Sequence, residues 1–445
     1  MTYSIIQKSQ LEGGLRLDAE YYQLEYLNLV ENLNSLDAVP IRDIAKNPKR
    51  KFKPQKGKTF QYIEISEVDL STGEYNKKEI LGEDAPDRAQ WVVKQNDVIT
   101  STVRPIRSAT SLIREDAQNS VCSSGFAVLK TERVEPEYLF VYLKSEPIIK
   151  LLDRKTTATM YPAVTIDDIL DTKIYLGNNK AREEIKNQVI ESQQELKNAK
   201  ILYSQAENLL LEELELKNFE IEEDLSYIVN LSDIKSAHRI DAEYFQPKYE
   251  ELIAKIKMQN IKSLLNVIEN IQAKFNPILE PERKFRYVEL ANINSSIGII
   301  DGFSEVSGEE APSRAKRILK DGDVIVSSVE GSLKKVALVH KEQDGYLAST
   351  GFFQFRSKEI LPEVMLVLAK SLVLQMQLEK QTSGTILMAV PKEAIKNIVI
   401  PILPEPTQQK IASSVCQSHQ ARKRAKELLE EAKQKVEKMI LGEVN

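Results

Sequence analysis

The sequence predicts an α/β fold made of two tandem α/β domains separated by two long helices, which pair as an antiparallel coiled coil with pseudo-twofold symmetry. Three observations lead there: a long internal repeat, strand-like runs in the same order in each copy, and a heptad seam that closes each copy. The repeat is visible in Arg16-Leu-Asp-Ala-Glu-Tyr-Tyr-Gln23, which returns as Arg239-Ile-Asp-Ala-Glu-Tyr-Phe-Gln246 at an offset of 223. Further on, Ala85-Pro-Asp-Arg-Ala89 and Asn96-Asp-Val-Ile-Thr-Ser101 recur as Ala311-Pro-Ser-Arg-Ala315 and Gly322-Asp-Val-Ile-Val-Ser327 at an offset of 226. The same 226 aligns Ser123-Ser-Gly-Phe126 with Ser349-Thr-Gly-Phe352, and Thr156-Thr-Ala-Thr159 with Thr382-Ser-Gly-Thr385. A repeat this long is a duplicated domain, since solenoid units run to only about 20–45 residues.

Within the first copy, the β-branched and aromatic runs Phe60–Ile65, Asp97–Ser101 and Phe126–Leu129 read as strands between turn residues. Glu137–Lys144 and Ile166–Leu170 read as short helices. Each copy then ends in a long helix. In the first, Ile185, Val189, Ser192, Leu196, Ala199, Tyr203, Ala206 and Leu210 follow a 4-3 spacing; in the second, Ile411, Val415, Ser418, Arg422, Ala425, Leu429, Ala432, Val436 and Met439 keep the same register. Such a seam could pack on its own domain, but the charges favour pairing. Residues 178–224 carry 6 Lys/Arg against 12 Asp/Glu, net −6, and residues 405–445 carry 8 against 6, net +2. Antiparallel pairing then sets the two globular parts at opposite ends of a rod roughly 50 Å long, from about 1.5 Å per helical residue. The boundaries read from the sequence are 1–177 and 223–404 for the globular domains, and 178–222 and 405–445 for the helical regions.

The composition excludes several classes. With 445 residues, 42% hydrophobic and 29% charged, the chain is long enough for several cores and too apolar to be disordered. Its longest apolar runs, such as Val364–Ala369, are far below the roughly 18 residues of a membrane span. The start, Met1-Thr2-Tyr3-Ser4, has no secretory pattern, so a cytoplasmic address is expected. Cys122 and Cys416, with His238, His340 and His419, are too few and scattered for a zinc site, and both cysteines read as buried small apolar residues. No metal is expected. Gly57-Lys58-Thr59 lacks the first glycine of a phosphate-binding loop, whose place is taken by Phe52, and no nucleophile elbow, His-Glu-x-x-His or Pro-Pro dipeptide occurs. No catalytic residue or cofactor is therefore expected on this chain.

What remains are local basic loops in a chain of net charge 61 − 66 = −5. Residues 46–58 hold seven Lys/Arg in thirteen with no acid, including Lys49, Arg50, Lys51 and Lys53, a density suited to phosphate contacts. The second copy offers a weaker counterpart in Arg283, Lys284 and Arg286. After the repeated Asp-Val-Ile strand the copies diverge: Ser101-Thr-Val-Arg-Pro-Ile-Arg107 faces Ser327-Ser-Val-Glu-Gly-Ser-Leu-Lys-Lys335. A constant strand carrying a variable loop lets one scaffold offer two readouts. Arginine is the usual bidentate partner of guanine, so Ser101, Arg104 and Arg107 are the candidate base contacts in the first half, with Ser332, Lys334 and Lys335 as counterparts.

The duplication and these motifs resemble, over essentially the whole chain, the specificity subunit of type I restriction-modification enzymes. A strand, a Pro-rich turn and a Gln-containing helix start recur in that family and appear here as Ile400-Pro-Ile-Leu-Pro-Glu-Pro-Thr-Gln-Gln-Lys-Ile411. The first copy departs from this: Ile174-Tyr-Leu-Gly-Asn-Asn-Lys-Ala-Arg-Glu-Glu-Ile185 lacks the prolines, leaving Asn178 or Asn179 to cap the helix. The resemblance implies a non-catalytic reader of double-stranded DNA. Its two target recognition domains would each read half of a split site, and a pair of methyltransferase subunits would grip the helices and supply adenine methylation with S-adenosylmethionine. A restriction or translocase subunit would be a further partner. A coiled-coil scaffold without DNA affinity is the alternative, as is a self-sufficient enzyme, against which the missing motifs argue.

Overall fold

A computed structural model of the chain describes residues 4–11, 16–114, 119–157, 160–220, 226–384 and 388–442. The chain divides into two compact units, Met1–Glu195 with Lys423–Asn445, and Leu196–Arg422. Each unit therefore contains one globular part and half of each long helix.

In the first unit, Ala45–Lys46, Phe126–Thr131, Asp97–Ser101 and Thr110–Leu112 form one sheet in that order. A second sheet runs Lys78–Leu81, Thr59–Ile63, Ser120–Ser123, Ala89–Val92, with Thr59–Ile63 and Ser120–Ser123 parallel and a register shift between Ala89 and Trp91. The strand Asp97–Ser101 is buried along its whole length, so its polar side chains must be satisfied internally. Thr100 and Thr110 share a hydroxyl hydrogen bond of 2.7 Å across it. Helices Pro136–Lys144 and Glu146–Arg154 cover the first sheet, and Val39–Pro40 paired with Ile174–Lys173 brings the two ends of the globular part together.

The second unit repeats this plan. Ile268–Asn270, Phe352–Ser357, Asp323–Ser327 and Val336–Leu338 reproduce the first sheet, which Ile299–Ile300 and Ile293–Asn294 extend to six strands. Ser304–Ser307, Lys284–Val288, Leu347–Ser349 and Ala315–Ile318 reproduce the second, down to the parallel pair and the register shift between Ala315 and Arg317. Ile261–Ser263 pairs with Val399–Pro401 as the closing ribbon.

The long helices span Asn179–Glu213 and Glu405–Leu441. Every residue of the predicted seam is buried, from Ile185 to Leu210 and from Ile411 to Met439. The seam also docks on the globular parts: Ile185, Val189, Leu429, Ala432 and Val436 join the core of the first, and Tyr203, Ala206, Leu210, Ile411 and Val415 that of the second. The helices run antiparallel in each unit. In the first, Ser192 Oγ donates to the Ala425 carbonyl at 2.8 Å and Lys435 meets Glu184 at 3.0 Å. In the second, the equivalent Ser418 Oγ donates to the Ala199 carbonyl at 2.6 Å. Arg422, in a leucine position of the heptad, is buried and forms an ion pair with Asp301.

The proline-free entry to the first helix has its own solution. Asn178 is the cap, its Oδ1 accepting from Ala181 N at 2.8 Å. Gly177 precedes it at φ +59, a left-handed conformation that favours glycine, with the flexible end of Met439 packed against it. In the second copy the Pro404 carbonyl accepts from Thr407 N and Gln408 N instead.

One of the two cysteines departs from the expected burial. Cys122 is fully buried in a central strand, but Cys416 is exposed on the outer face of the second helix. Two of the histidines that lie scattered along the sequence meet in the fold: His340 Nε2 and His419 Nδ1 lie 2.9 Å apart, and His419 Nε2 reaches the Ile297 carbonyl at 2.8 Å. Burial, with His340 next, pushes the His419 pKa down to about 3, so His419 is neutral, and its two hydrogen bonds fasten the second helix to the second globular part. Among the described residues, no helix is long and apolar enough to cross a membrane.

Candidate nucleic-acid interface

The loop after Asp97–Ser101 is held from below. Ser101 is buried at 2% exposure; its Oγ donates to the Val103 carbonyl at 2.7 Å and accepts from Val103 N at 3.2 Å, so it shapes the turn instead of facing outward. Thr102 N and Oγ1 donate to the Gly125 carbonyl at 2.8 and 3.0 Å. Arg104 and Ser108, both left-handed at φ 49 and 54, bracket the turn Pro105–Arg107. Lys144 Nζ, whose pKa burial lowers to about 8, donates to the Leu70 carbonyl at 2.8 Å and the Ser108 carbonyl at 3.4 Å, pinning the far end. Above this frame stand Ile106 and Arg107, both exposed. Arg104 N donates to the Pro162 carbonyl at 2.7 Å, and its guanidinium lies 5.9 Å from the centroid of the Tyr161 ring. Met160 (77% exposed) and Tyr161 (66% exposed) complete a patch of arginine and apolar side chains. Sequence reasoning missed these two; an aromatic beside a repeated Thr-rich segment was the available signal.

The second unit builds the same frame with a different face. Ser328 N and Oγ donate to the Gly351 carbonyl at 2.9 and 3.0 Å, and Glu330 N donates to the Met388 carbonyl at 3.0 Å. Glu330 thus occupies the backbone position of Arg104, and the charge is reversed. Ser332 Oγ lies 3.0 Å from Ser327 Oγ and from the Val329 carbonyl, and Lys335 Nζ donates to the Ile293 carbonyl at 2.9 Å, so both help to fix the loop. Lys334 is exposed at its tip.

In the basic loop, Lys49, Lys51, Lys53, Lys56 and Lys58 are exposed, while Lys46 is ion-paired with Glu132. The loop is anchored by Phe52, whose ring sits 4.6 Å from that of Phe60, and by Gly82: a Cβ there would lie 2.1 Å from the Gln55 carbonyl oxygen. Arg50 differs from its neighbours. Its guanidinium is ion-paired with the carboxylate of Asp97, which is 2% exposed, and its Nε donates to the Val92 carbonyl at 3.2 Å. Burial raises the Asp97 pKa, against the pull of Lys94 N and Arg50. Replacing Arg50 by Ala should therefore destabilise the fold by about 3 kcal/mol, by stranding a buried carboxylate. Lys49→Ala and Lys51→Ala should stay within about 0.5 kcal/mol. Urea unfolding of the full chain distinguishes the two, and equal effects would contradict the assignment.

The counterpart cluster is mixed. Arg283 is ion-paired with Glu280 at 2.7 Å, Lys284 is exposed at the start of its strand, and Arg286 donates to Tyr346 Oη at 3.1 Å beneath the Phe303 ring.

No protein-family model and no curated protein matches the chain. Among solved structures, it is similar to the HsdS subunit from Thermoanaerobacter tengcongensis at 21% identity, covering 92% of this chain and 97% of that one with a TM-score of 0.34. It is similar to a type I restriction-modification system S subunit from M. genitalium at 14% identity, covering 92% and 96% with a TM-score of 0.40. A third likeness, at 19% identity, 91% and 97% coverage and a TM-score of 0.35, is to a chain from a structural study of complex assembly in the type I R-M system. At these scores the likenesses carry no functional weight, which rests on the chain's own duplication and surface.

Proposed function

We propose that this chain is the DNA sequence-recognition subunit of a type I restriction-modification complex. One observation carries the reading: a duplicated frame, with the same four-strand order in each of its sheets and the same backbone anchors, presents loops that differ in charge at equivalent positions, as Arg104 and Glu330 do. A frame kept constant beneath divergent loops suits two half-sites of different sequence. The recognition domains are 1–177 and 223–404, and Arg104, Arg107 and Lys334 contact bases. The helical regions 178–222 and 405–445 hold two methyltransferase subunits, which carry S-adenosylmethionine and the chemistry; a restriction or translocase subunit joins them. The chain itself is non-catalytic and cytoplasmic.

The exposed lysines of the first basic loop supply phosphate contacts. Replacing Lys49, Lys51 and Lys53 together by Ala should weaken binding to all duplex sequences alike and flatten the dependence of log affinity on log salt by up to about 2.7, at about 0.9 per lost contact. Fluorescence anisotropy of the full chain over a salt series reads this directly. A wild-type chain that fails to bind duplex DNA at low salt would instead support a coiled-coil scaffold.

A further inference from the structure

Most exposed loop residues differ between the two copies, but one exposed arginine does not. Arg88 and Arg314 occupy the same place in Ala85-Pro-Asp-Arg-Ala89 and Ala311-Pro-Ser-Arg-Ala315. Both are exposed, and among the described residues neither makes a salt bridge or a side-chain hydrogen bond. Some exposed arginines of this chain do find partners, Arg42 with Asp171, Arg283 with Glu280 and Arg424 with Glu191, while Arg107 and Arg133 are open like Arg88 but have no arginine at the equivalent place in the second copy.

The backbone beneath Arg88 ties it to the variable loop. The Arg88 carbonyl accepts from Ser124 N at 2.7 Å, and the next residue, Gly125, offers its carbonyl to Thr102 N, at the base of the loop carrying Arg104 and Arg107. In the second unit, the Arg314 carbonyl accepts from Thr350 N at 2.8 Å, and the Gly351 carbonyl accepts from Ser328 N at 2.9 Å, at the base of the loop carrying Glu330 and Lys334. Two hydrogen-bonded steps thus join a constant cation to a variable reader, in the same way twice. A residue reading bases would be expected to change with the loop beside it, whereas a residue touching the phosphodiester backbone meets the same chemistry in both half-sites.

We infer that Arg88 and Arg314 are a duplicated phosphate contact, one per recognition domain, that sets each variable loop at a fixed height on the DNA backbone. The inference rests on the DNA-reading function proposed above. It is tested with the full chain, Arg88→Gln, Arg314→Gln and the double variant, titrated against two unrelated 30-base-pair duplexes of mixed sequence across a salt series. Each single change should lower the salt slope by about 0.9 and the double by about 1.8, equally on both duplexes. Thermal unfolding should be unchanged, and Arg→Lys at both positions should restore the slope. An unchanged slope in the double variant overturns the inference, as does a loss confined to one duplex, a matching fall in unfolding temperature, or failure of lysine to restore binding. If the wild-type chain binds neither duplex, the DNA-reading function itself falls; if it binds and only the variants are silent, that function stands without this contact.

Discussion

Inserting one heptad after Ala199 and one after Gln417 is expected to remove most methylation at the native target, and to move what survives to the same half-sites with a longer gap. Ser418 donates to the Ala199 carbonyl, so the two insertions fall at the same level of the helix pair, and the Ser192–Ala425 and Ser418–Ala199 bonds are both kept. Seven residues at 1.5 Å lengthen the pair by about 10 Å. At about 3.4 Å per base pair this corresponds to roughly three base pairs. Three base pairs also turn the second half-site by nearly a third of a helical turn, taking about 10.5 per turn, which is why activity should fall and not merely shift. Mapping methylated adenines in cells expressing the variant with the methyltransferase subunits proposed above gives the gap. Wild-type methylation at the original spacing would show that the helices do not set it.

Exchanging residues 24–176 with 247–402 is expected to leave a folded subunit that methylates the two half-sites in reversed order. The seats on the helices are matched: Ile185 and Val189 under the first globular part correspond to Ile411 and Val415 under the second, and Ala206 corresponds to Ala432. The junctions match as well. Arg16 Nη2 donates to the Thr156 carbonyl at 3.3 Å, and Arg239 Nη2 to the Thr382 carbonyl at 2.8 Å, so each conserved arm finds its threonine after the exchange. The short helix Leu24–Ser35 must travel with its domain, because Leu29 and Leu33 are buried in the core of the first globular part. Methylation persisting in the original order would mean that the two parts are not independent readers.

Much of the fold is legible in the sequence, because periodicity and repetition are local signals. The strand Asp97–Ser101, the helix Ile166–Leu170 and all seventeen seam residues follow from pattern alone. The site is less legible, because the role of a polar side chain depends on partners far along the chain. Arg50 belongs to a run of cations, and only the 47-residue reach to Asp97 separates it from them. Ser101 lies at the edge of a variable loop but faces inward. His340 and His419 are 79 residues apart and meet only because the fold brings a loop of the second globular part against the helix, whereas the exposure of Cys416 is legible, since the register puts it between the seam positions Val415 and Ser418. Part of the repeated Thr156–Thr159 and Thr382–Thr385 segments lies outside the described residues.

The buried carboxylate at the head of the repeated strand has diverged in its neutralisation, and this bears on how such a chain can be reassorted. Asp323 is clasped by Arg356 across the strand pair, with Nε and Nη2 at 2.8 and 2.9 Å, while the residue opposite Asp97 is Lys130 and the guanidinium arrives from Arg50, outside the sheet. The second copy cannot borrow that arrangement: Ala273 stands two residues before Phe275, where Arg50 stands two before Phe52. A crossover that moved the strand Phe126–Thr131 into the second copy would replace the guanidinium of Arg356 by a lysine, and the Gln354 amide, which donates to Asp323 at 2.7 Å, by Val128, leaving the buried carboxylate with fewer donors. Exchanging whole globular parts keeps each of these carboxylates with the arginine it has, whereas a cut that falls between Arg50 and Asp97, or between Asp323 and Arg356, separates the two.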